Sequence, residues 1–136
     1  MSQEPRRPRV LLADDDARMH RAVPRLLSPS CDLVSCVTDA ASLFDAVAQL
    51  RPDVVLLDLS LTGGMPAPEL CRLIAARTPD VKVVVFSAHD HADLQDIARA
   101  CGASGYVSKF RASSDLARTI HAVVDATPPL ADGGMN

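Results

Sequence analysis

With 136 residues, 48% of them apolar, the chain is long enough for one domain with a real core and too apolar for a disordered segment. No run approaches the roughly 20 apolar residues that a membrane span needs, and residues 1–8 lack the apolar centre of a signal peptide, so a cytoplasmic protein without a membrane anchor is expected. The formal charge of −3, with only Arg6, Arg7 and Arg9 close together, offers no surface for direct nucleic-acid binding.

Residues 1–8 are expected to be a flexible, solvated leader, 9–125 the domain, and 126–136 a flexible tail. Strand-like apolar runs alternate five times with helix-like stretches, the pattern of a parallel sheet covered by helices. The strands are expected at 9–13, 32–37, 54–58, 81–86 and 105–108, and the helices at 17–27, 39–50, 68–77, 92–101 and 114–125. Pro24 falls inside the first helix, where it removes a hydrogen bond and predicts a kink. The second helix carries Leu43, Phe44, Val47 and Leu50 on one stripe, with Thr38 or Asp39 as its cap. Pro68 stands just inside the start of the third helix, where a missing N–H is harmless. The last helix repeats the stripe with Leu116, Ile120, Val123 and Val124, capped from Ser113 or Ser114.

The third and fourth strands are almost wholly apolar, as central parallel strands must be. The expected fold is therefore α/β, a flavodoxin-like (βα)5 three-layer sandwich with strand order 2-1-3-4-5. That order makes the first and third strands neighbours at the switch point, where ligands bind beyond the carboxyl ends of the strands. The four cysteines, Cys31, Cys36, Cys71 and Cys101, show no C-x-x-C spacing and read as small buried hydrophobes. Cys31 and Cys36, an odd number apart, would face opposite sides of one strand.

Chemistry gathers where the strands end. Val10-Leu11-Leu12-Ala13 runs into Asp14-Asp15-Asp16, and Val54-Val55-Leu56-Leu57 runs into Asp58. An ionised carboxylate beside a dry core costs several kcal/mol unless a cation pairs with it. The fourth strand ends at Ser87 and the fifth is followed by Lys109. Acids, a hydroxyl and a lysine at strand ends form a set that handles a phosphoryl group and a divalent metal. One Asp suffices to cap a helix; Asp16 takes that role, leaving Asp14 and Asp15 for a cation. His89 and His91 have no metal-ligand company and read as solvent-exposed loop residues.

The stretches V-L-L-A-D-D-D, D-V-V-L-L-D-L-S, V-V-V-F-S-A and G-A-S-G-Y-V-S-K, in this order and spacing, resemble the receiver domain of two-component response regulators over residues 9–125. The resemblance implies that Asp58 accepts a phosphoryl group from a histidine kinase or a histidine phosphotransfer protein. It implies that Asp14, Asp15, Asp58 and the Ser60 backbone carbonyl hold Mg²⁺ (or Mn²⁺). Ser87 would follow the phosphoryl group, Lys109 would pair with it, and Tyr106 would be the aromatic switch. Ser60 and His89, each two positions past a key residue, would tune a slow self-dephosphorylation. Output would run through the fourth helix, fifth strand and fifth helix to a downstream protein or a second copy.

The expected protein is thus a signalling receiver rather than an enzyme, stand-alone in the chemotaxis manner. Similarity to receivers that precede helix-turn-helix domains leaves a fragment of a longer DNA-binding regulator as an alternative, and a pseudo-receiver that ignores phosphorylation as another. A haloacid-dehalogenase-type phosphatase needs D-x-D where Asp58-Leu59-Ser60 stands, and a flavodoxin needs a hydroxyl- and Gly-rich phosphate loop where three acids stand. Two departures from the family are visible. Thr62 replaces the usual proline in a loop with an extra residue and two adjacent glycines, Gly63 and Gly64, which predicts an altered loop. Phe110 replaces the proline that often follows the lysine, so a trans peptide is expected there, with Phe110 exposed for contact with a kinase or another subunit.

Overall fold

The computed structural model describes residues 7–61 and 65–126. Five strands, β1 (Arg9–Ala13), β2 (Asp32–Val37), β3 (Val54–Leu57), β4 (Lys82–Ser87) and β5 (Gly105–Ser108), alternate with five helices. These are α1 (Ala17–Leu27), α2 (Ala40–Leu50), α3 (Ala67–Arg77), α4 (His91–Cys101) and α5 (Ala112–Asp125). All four pairings are parallel and the order is β2-β1-β3-β4-β5, as expected from the sequence. No helix among the described residues is long and apolar enough to cross a membrane.

Strand alternation divides the core between two faces. Val10 and Leu12 point to one side with Val54, Leu56, Val84 and Phe86, where Val23 and Leu27 of α1 and Leu116 and Ile120 of α5 cover them. Leu11, Ala13, Val55 and Leu57 point to the other, beneath Leu43 and Val47 of α2 and Leu70 and Ile74 of α3. Val85 lies on that second side, where Leu94 and Ala98 of α4 close over it. The three layers follow from this two-sided burial.

Local chemistry explains the boundaries. Asp39 caps α2 by accepting from the Ser42 N–H at 2.7 Å, and Asp90 caps α4 through the Asp93 N–H at 2.9 Å. Asp16 caps α1 through the Arg18 N–H at 2.9 Å, as its place after the acidic pair suggested. Helix α1 continues through Pro24 to Leu27. Helix α5 departs from expectation: it begins two residues early, at Ala112, without a side-chain cap, because a 3₁₀ turn over Lys109–Arg111 feeds straight into it. Ser114 instead donates from its hydroxyl to the Arg111 carbonyl at 3.2 Å.

The cysteines also differ in part. Cys31 lies just before β2, and the β1–β2 register slips so that Val10 pairs with Leu33 but Leu11 with Ser35. The skipped Val34 is a bulge, and it breaks the odd–even rule. Leu33 and Cys36 therefore pack on the same face as Cys31. All four thiols are free, with Cys36 half-buried and the others buried.

At the amino ends of the strands, Arg7 is exposed but paired and Pro8 is buried. Arg7 pairs with Asp32 at 2.9 Å, and the carbonyl of buried Pro8 accepts from the Asp32 N–H at 2.8 Å. The guanidinium of half-buried Arg9 donates to the Leu50 and Arg51 carbonyls at 2.7 and 2.9 Å, closing the end of α2. The rest of the expected leader, the tail 127–136, and Thr62, Gly63 and Gly64 lie outside the described residues.

Candidate functional site

The acidic residues sit one step past the sheet, held by its last backbone bonds. The Asp14 N–H donates to the Val37 carbonyl at 3.0 Å, and the Asp58 N–H donates to the Ala13 carbonyl at 2.9 Å. Because β1 and β3 are adjacent, the carboxylate oxygens of Asp14, Asp15 and Asp58 come within 4.8 Å of one another. Asp14 is fully buried and Asp58 is 4% exposed, while Asp15 is open to solvent.

Lys109 enters from the end of β5. Its ammonium lies 2.8 Å from Asp14 Oδ2, 3.5 Å from Asp58 Oδ2, and 5.5 Å from the centre of the Phe86 ring. One lysine faces three carboxylates, so the cluster keeps an excess of negative charge. Burial pushes the Asp14 carboxyl above the usual carboxylate range; Lys109 and the Asp16 N–H oppose the shift, and neighbouring Asp58 adds to it. Asp14 Oδ1 accepts from the Asp16 N–H at 2.8 Å. Asp14 Oδ2 meets the Lys109 ammonium at 2.8 Å and no other donor. A buried carboxylate oxygen with one cationic partner among two further acids fits a hard divalent cation with oxygen ligands.

The other expected residues are close by. The Ser60 hydroxyl donates to Asp58 Oδ2 at 2.5 Å, and its N–H donates to Oδ1 at 3.3 Å, so Ser60 grips the carboxylate. Ser87 and Ser108 end neighbouring strands in register. The Ser108 hydroxyl accepts from the Phe110 N–H at 3.2 Å and shapes the turn that presents Lys109. The only cis peptide among the described residues is Ser28–Pro29, so the Lys109–Phe110 bond is trans, as expected, and Phe110 is 77% exposed. Tyr106 lies half-buried on β5 beside an open cleft of about 530 Å³ between α4 and α5, lined also by Leu94, Arg111, Asp115, Arg118 and Val123.

The histidines are where sequence reasoning falls short. His89 and His91 are exposed, as expected, but His91 opens α4 rather than lying in a loop, and both are engaged. The Ser87 hydroxyl and His89 Nδ1 share a hydrogen bond of 2.7 Å. The Tyr106 hydroxyl and His91 Nε2 share one of 3.1 Å, with ring centres 5.2 Å apart. His20 Nε2 meets the Asp14 backbone carbonyl at 2.6 Å. Nothing in the spacing of His20 marks it, whereas the H-D-H run that begins two residues past Ser87 was a visible signal of side chains near the site.

A model of the response regulator receiver domain matches residues 10–121. The chain belongs to that family. Among curated proteins it is 34% identical over 115 residues to the DNA-binding transcriptional activator DevR/DosR of Mycobacterium tuberculosis, covering 82% of this chain and 52% of that protein. It is 33% identical over 117 residues to the response regulator UvrY of Escherichia coli, covering 84% of this chain and 53% of the relative. The chain thus spans about half the length of these relatives. Among solved structures, the receiver domain of the response regulator NarL from Mycobacterium tuberculosis superimposes with a TM-score of 0.79 at 25% identity, covering 90% of this chain and all (100%) of the other. A CheY-like receiver from Methanospirillum hungatei, at 19% identity, shares the fold with a TM-score of 0.73 over 88% of this chain and 95% of its own. The protein is a receiver domain of the two-component response regulators, a signalling module with the flavodoxin-like fold.

Proposed function

We propose that this receiver takes a phosphoryl group onto Asp58 from the phosphohistidine of a histidine kinase or a histidine phosphotransfer protein. The observation that carries the reading is the buried Asp58 carboxylate set among Asp14, Asp15 and Lys109. In the transfer a carboxylate oxygen of Asp58 attacks phosphorus, the P–N bond breaks, and the imidazole leaves with the electron pair and gains a proton; the product is an acyl phosphate. Asp14, Asp15, Asp58 and the Ser60 backbone carbonyl would hold Mg²⁺, or Mn²⁺, which when bound neutralises the anions that the reaction brings together.

The chain's own residues do the rest. The Ser60 hydroxyl donates to Asp58 Oδ2 and takes up one of its lone pairs, leaving the others of the carboxylate for attack. Lys109, within reach of both buried carboxylates, supplies a positive charge to a phosphoryl oxygen. The Ser87 hydroxyl moves toward the phosphoryl group, and Tyr106 turns into the space it leaves, which shifts an existing equilibrium between two conformations. Ser60 and His89 flank the path of the water that later hydrolyses the acyl phosphate, a slow self-dephosphorylation that the receiver promotes.

Output passes through the face formed by α4, β5 and α5, where the cleft beside Tyr106 meets a downstream protein or a second copy. The chain acts in the cytoplasm, without direct contact to nucleic acid or membrane. A second reading, a receiver portion of a longer DNA-binding regulator, is favoured by the half-length coverage of the curated relatives. The deciding experiment is incubation with acetyl phosphate and Mg²⁺ followed by intact mass measurement. One added phosphoryl group that requires both the metal and Asp58 supports the proposal. No adduct under any condition would make this a pseudo-receiver.

A further inference from the structure

Both switch side chains end on histidines that flank the cap of α4, His89 just before it and His91 as the first helical residue. Ser87 Oγ lies 2.7 Å from His89 Nδ1, and the Tyr106 hydroxyl lies 3.1 Å from His91 Nε2. Between them, Asp90 caps α4: its carboxylate accepts from the Asp93 N–H at 2.9 Å and its carbonyl from the Leu94 N–H at 3.0 Å. Leu94 is fully buried in the small cluster with Val85, against which Tyr106 also packs. The backbone joining the two histidines is therefore anchored to the core at Asp90 and Leu94.

We infer that His89 and His91 are positioning residues that form a two-point latch, holding Ser87 and Tyr106 in the unphosphorylated arrangement and tying their release to the first turn of α4. This rests on the reading of Ser87 and Tyr106 as the switch. Movement of the Ser87 hydroxyl toward a phosphoryl group on Asp58 stretches its bond to His89, in either tautomer of the ring. Strain on His89 passes through the capped Asp90 to His91, which lies against the phenol. Tyr106 cannot turn inward while its hydroxyl keeps that bond. Each hydrogen bond favours the resting conformation, so loss of one raises the population of the active conformation and hence the rate at which a small phosphodonor reacts.

The composition supplies the probe. Tyr106 is the only tyrosine in a chain without tryptophan, so biosynthetic 3-fluorotyrosine places a single fluorine reporter on the switch. Its ¹⁹F resonance is measured with and without Mg²⁺ plus beryllofluoride, a phosphoryl mimic, in the wild type and in His91→Phe, His91→Gln and His89→Ala. Both positions are exposed, so the fold is undisturbed. His91→Phe keeps a ring against Tyr106 but removes the hydrogen bond. Its unliganded resonance is expected to shift toward the wild-type beryllofluoride position, with phosphorylation by acetyl phosphate roughly two- to tenfold faster, the range one hydrogen bond supports. His91→Gln, which restores a hydrogen-bonding group, is expected to return both readings toward wild type. His89→Ala is expected to move the fluorine signal although it does not touch Tyr106. A resonance that moves with beryllofluoride in wild type but is unchanged in His91→Phe would overturn the latch alone. One unmoved in His89→Ala would overturn the coupling between its two points. A wild-type resonance indifferent to beryllofluoride would overturn the Tyr106 switch and the latch together.

Discussion

Asp14 shows how a buried carboxylate works against the fold that holds it. Its pKa is raised above the ordinary 3.8, chiefly by burial, so the folded protein releases this proton at a higher pH than the unfolded chain does. Stability from this group is therefore greatest below the unfolded value and falls as pH rises from about 4 through the folded value. Asp14→Asn removes that cost; the metal-free variant is expected to be more stable at pH 7 by about 1 kcal/mol in thermal or urea unfolding. The same variant is expected to lose Mg²⁺-dependent phosphorylation, because a neutral amide is a poor ligand for a hard cation. Asp16, two residues on, behaves in the opposite sense. Hydrogen bonds from Arg18 hold its carboxyl down to about 2, so the little it contributes is present above pH 4 and lost as the pH falls toward 2. Gly105 is constrained by space. A Cβ there would lie 3.0 Å from Val123 Cγ2 and 3.4 Å from Thr119 Cγ2. Gly105→Ala is expected to destabilise by about 1–3 kcal/mol in denaturant unfolding, as overpacking does, by pushing α5 away from β5.

At the scale of elements, caps and turns determine how strand ends meet helix starts, and in this fold those junctions are the site. Asp39 serves only its helix and is exposed, with its carboxyl held below the usual range by the Ser42 N–H. Asp39→Ala is expected to cost about 1 kcal/mol in urea unfolding and to leave phosphorylation by acetyl phosphate unchanged. The turn after β5 has a different duty. Without a proline to shape it, the Ser108 hydroxyl and the 3₁₀ turn over Lys109–Arg111 aim the lysine back across the sheet. The expected helix start near Ser113 and Ser114 was displaced by that turn, because a backbone already coiled at Lys109 continues into α5 without a side-chain cap. In α4 the left-handed Gly102, at φ 66°, ends the helix.

For the whole molecule, three carboxylates facing one lysine make the carboxyl end of the sheet electrostatically incomplete. A divalent cation that binds only the folded state is expected to raise stability with concentration, by about 2.7 kcal/mol at a hundredfold excess over its dissociation constant. Addition of chelator should reverse the shift in melting temperature, and Asp14→Asn should abolish it. Much of this was legible in the chain. Apolar runs with period two or without a break, separated by helical stripes, specify a parallel sheet, and acids directly after β1 and β3 can only meet when those strands are neighbours. The acidic pair, Asp58, Ser87 and Lys109 could be named because strand ends in this topology share one edge. Local pattern carried no information about distances between side chains from different elements. The bulge at Val34 turned Cys36 to the face of Cys31, and the bonds of His89 to Ser87 and His91 to Tyr106 depend on how the turn before α4 is anchored. Sequence by itself determined the alternation of strand and helix and the two-sided burial of the central strands, since hydrophobic periodicity is a property of the chain; the strand order, and with it the gathering of acids and lysine, came from likeness to the flavodoxin-like fold. Tertiary structure alone decided which oxygen Ser60 bonds, how deeply Asp14 is buried and which histidine meets Ser87 and which meets Tyr106, because those depend on packing at a scale of a few ångströms.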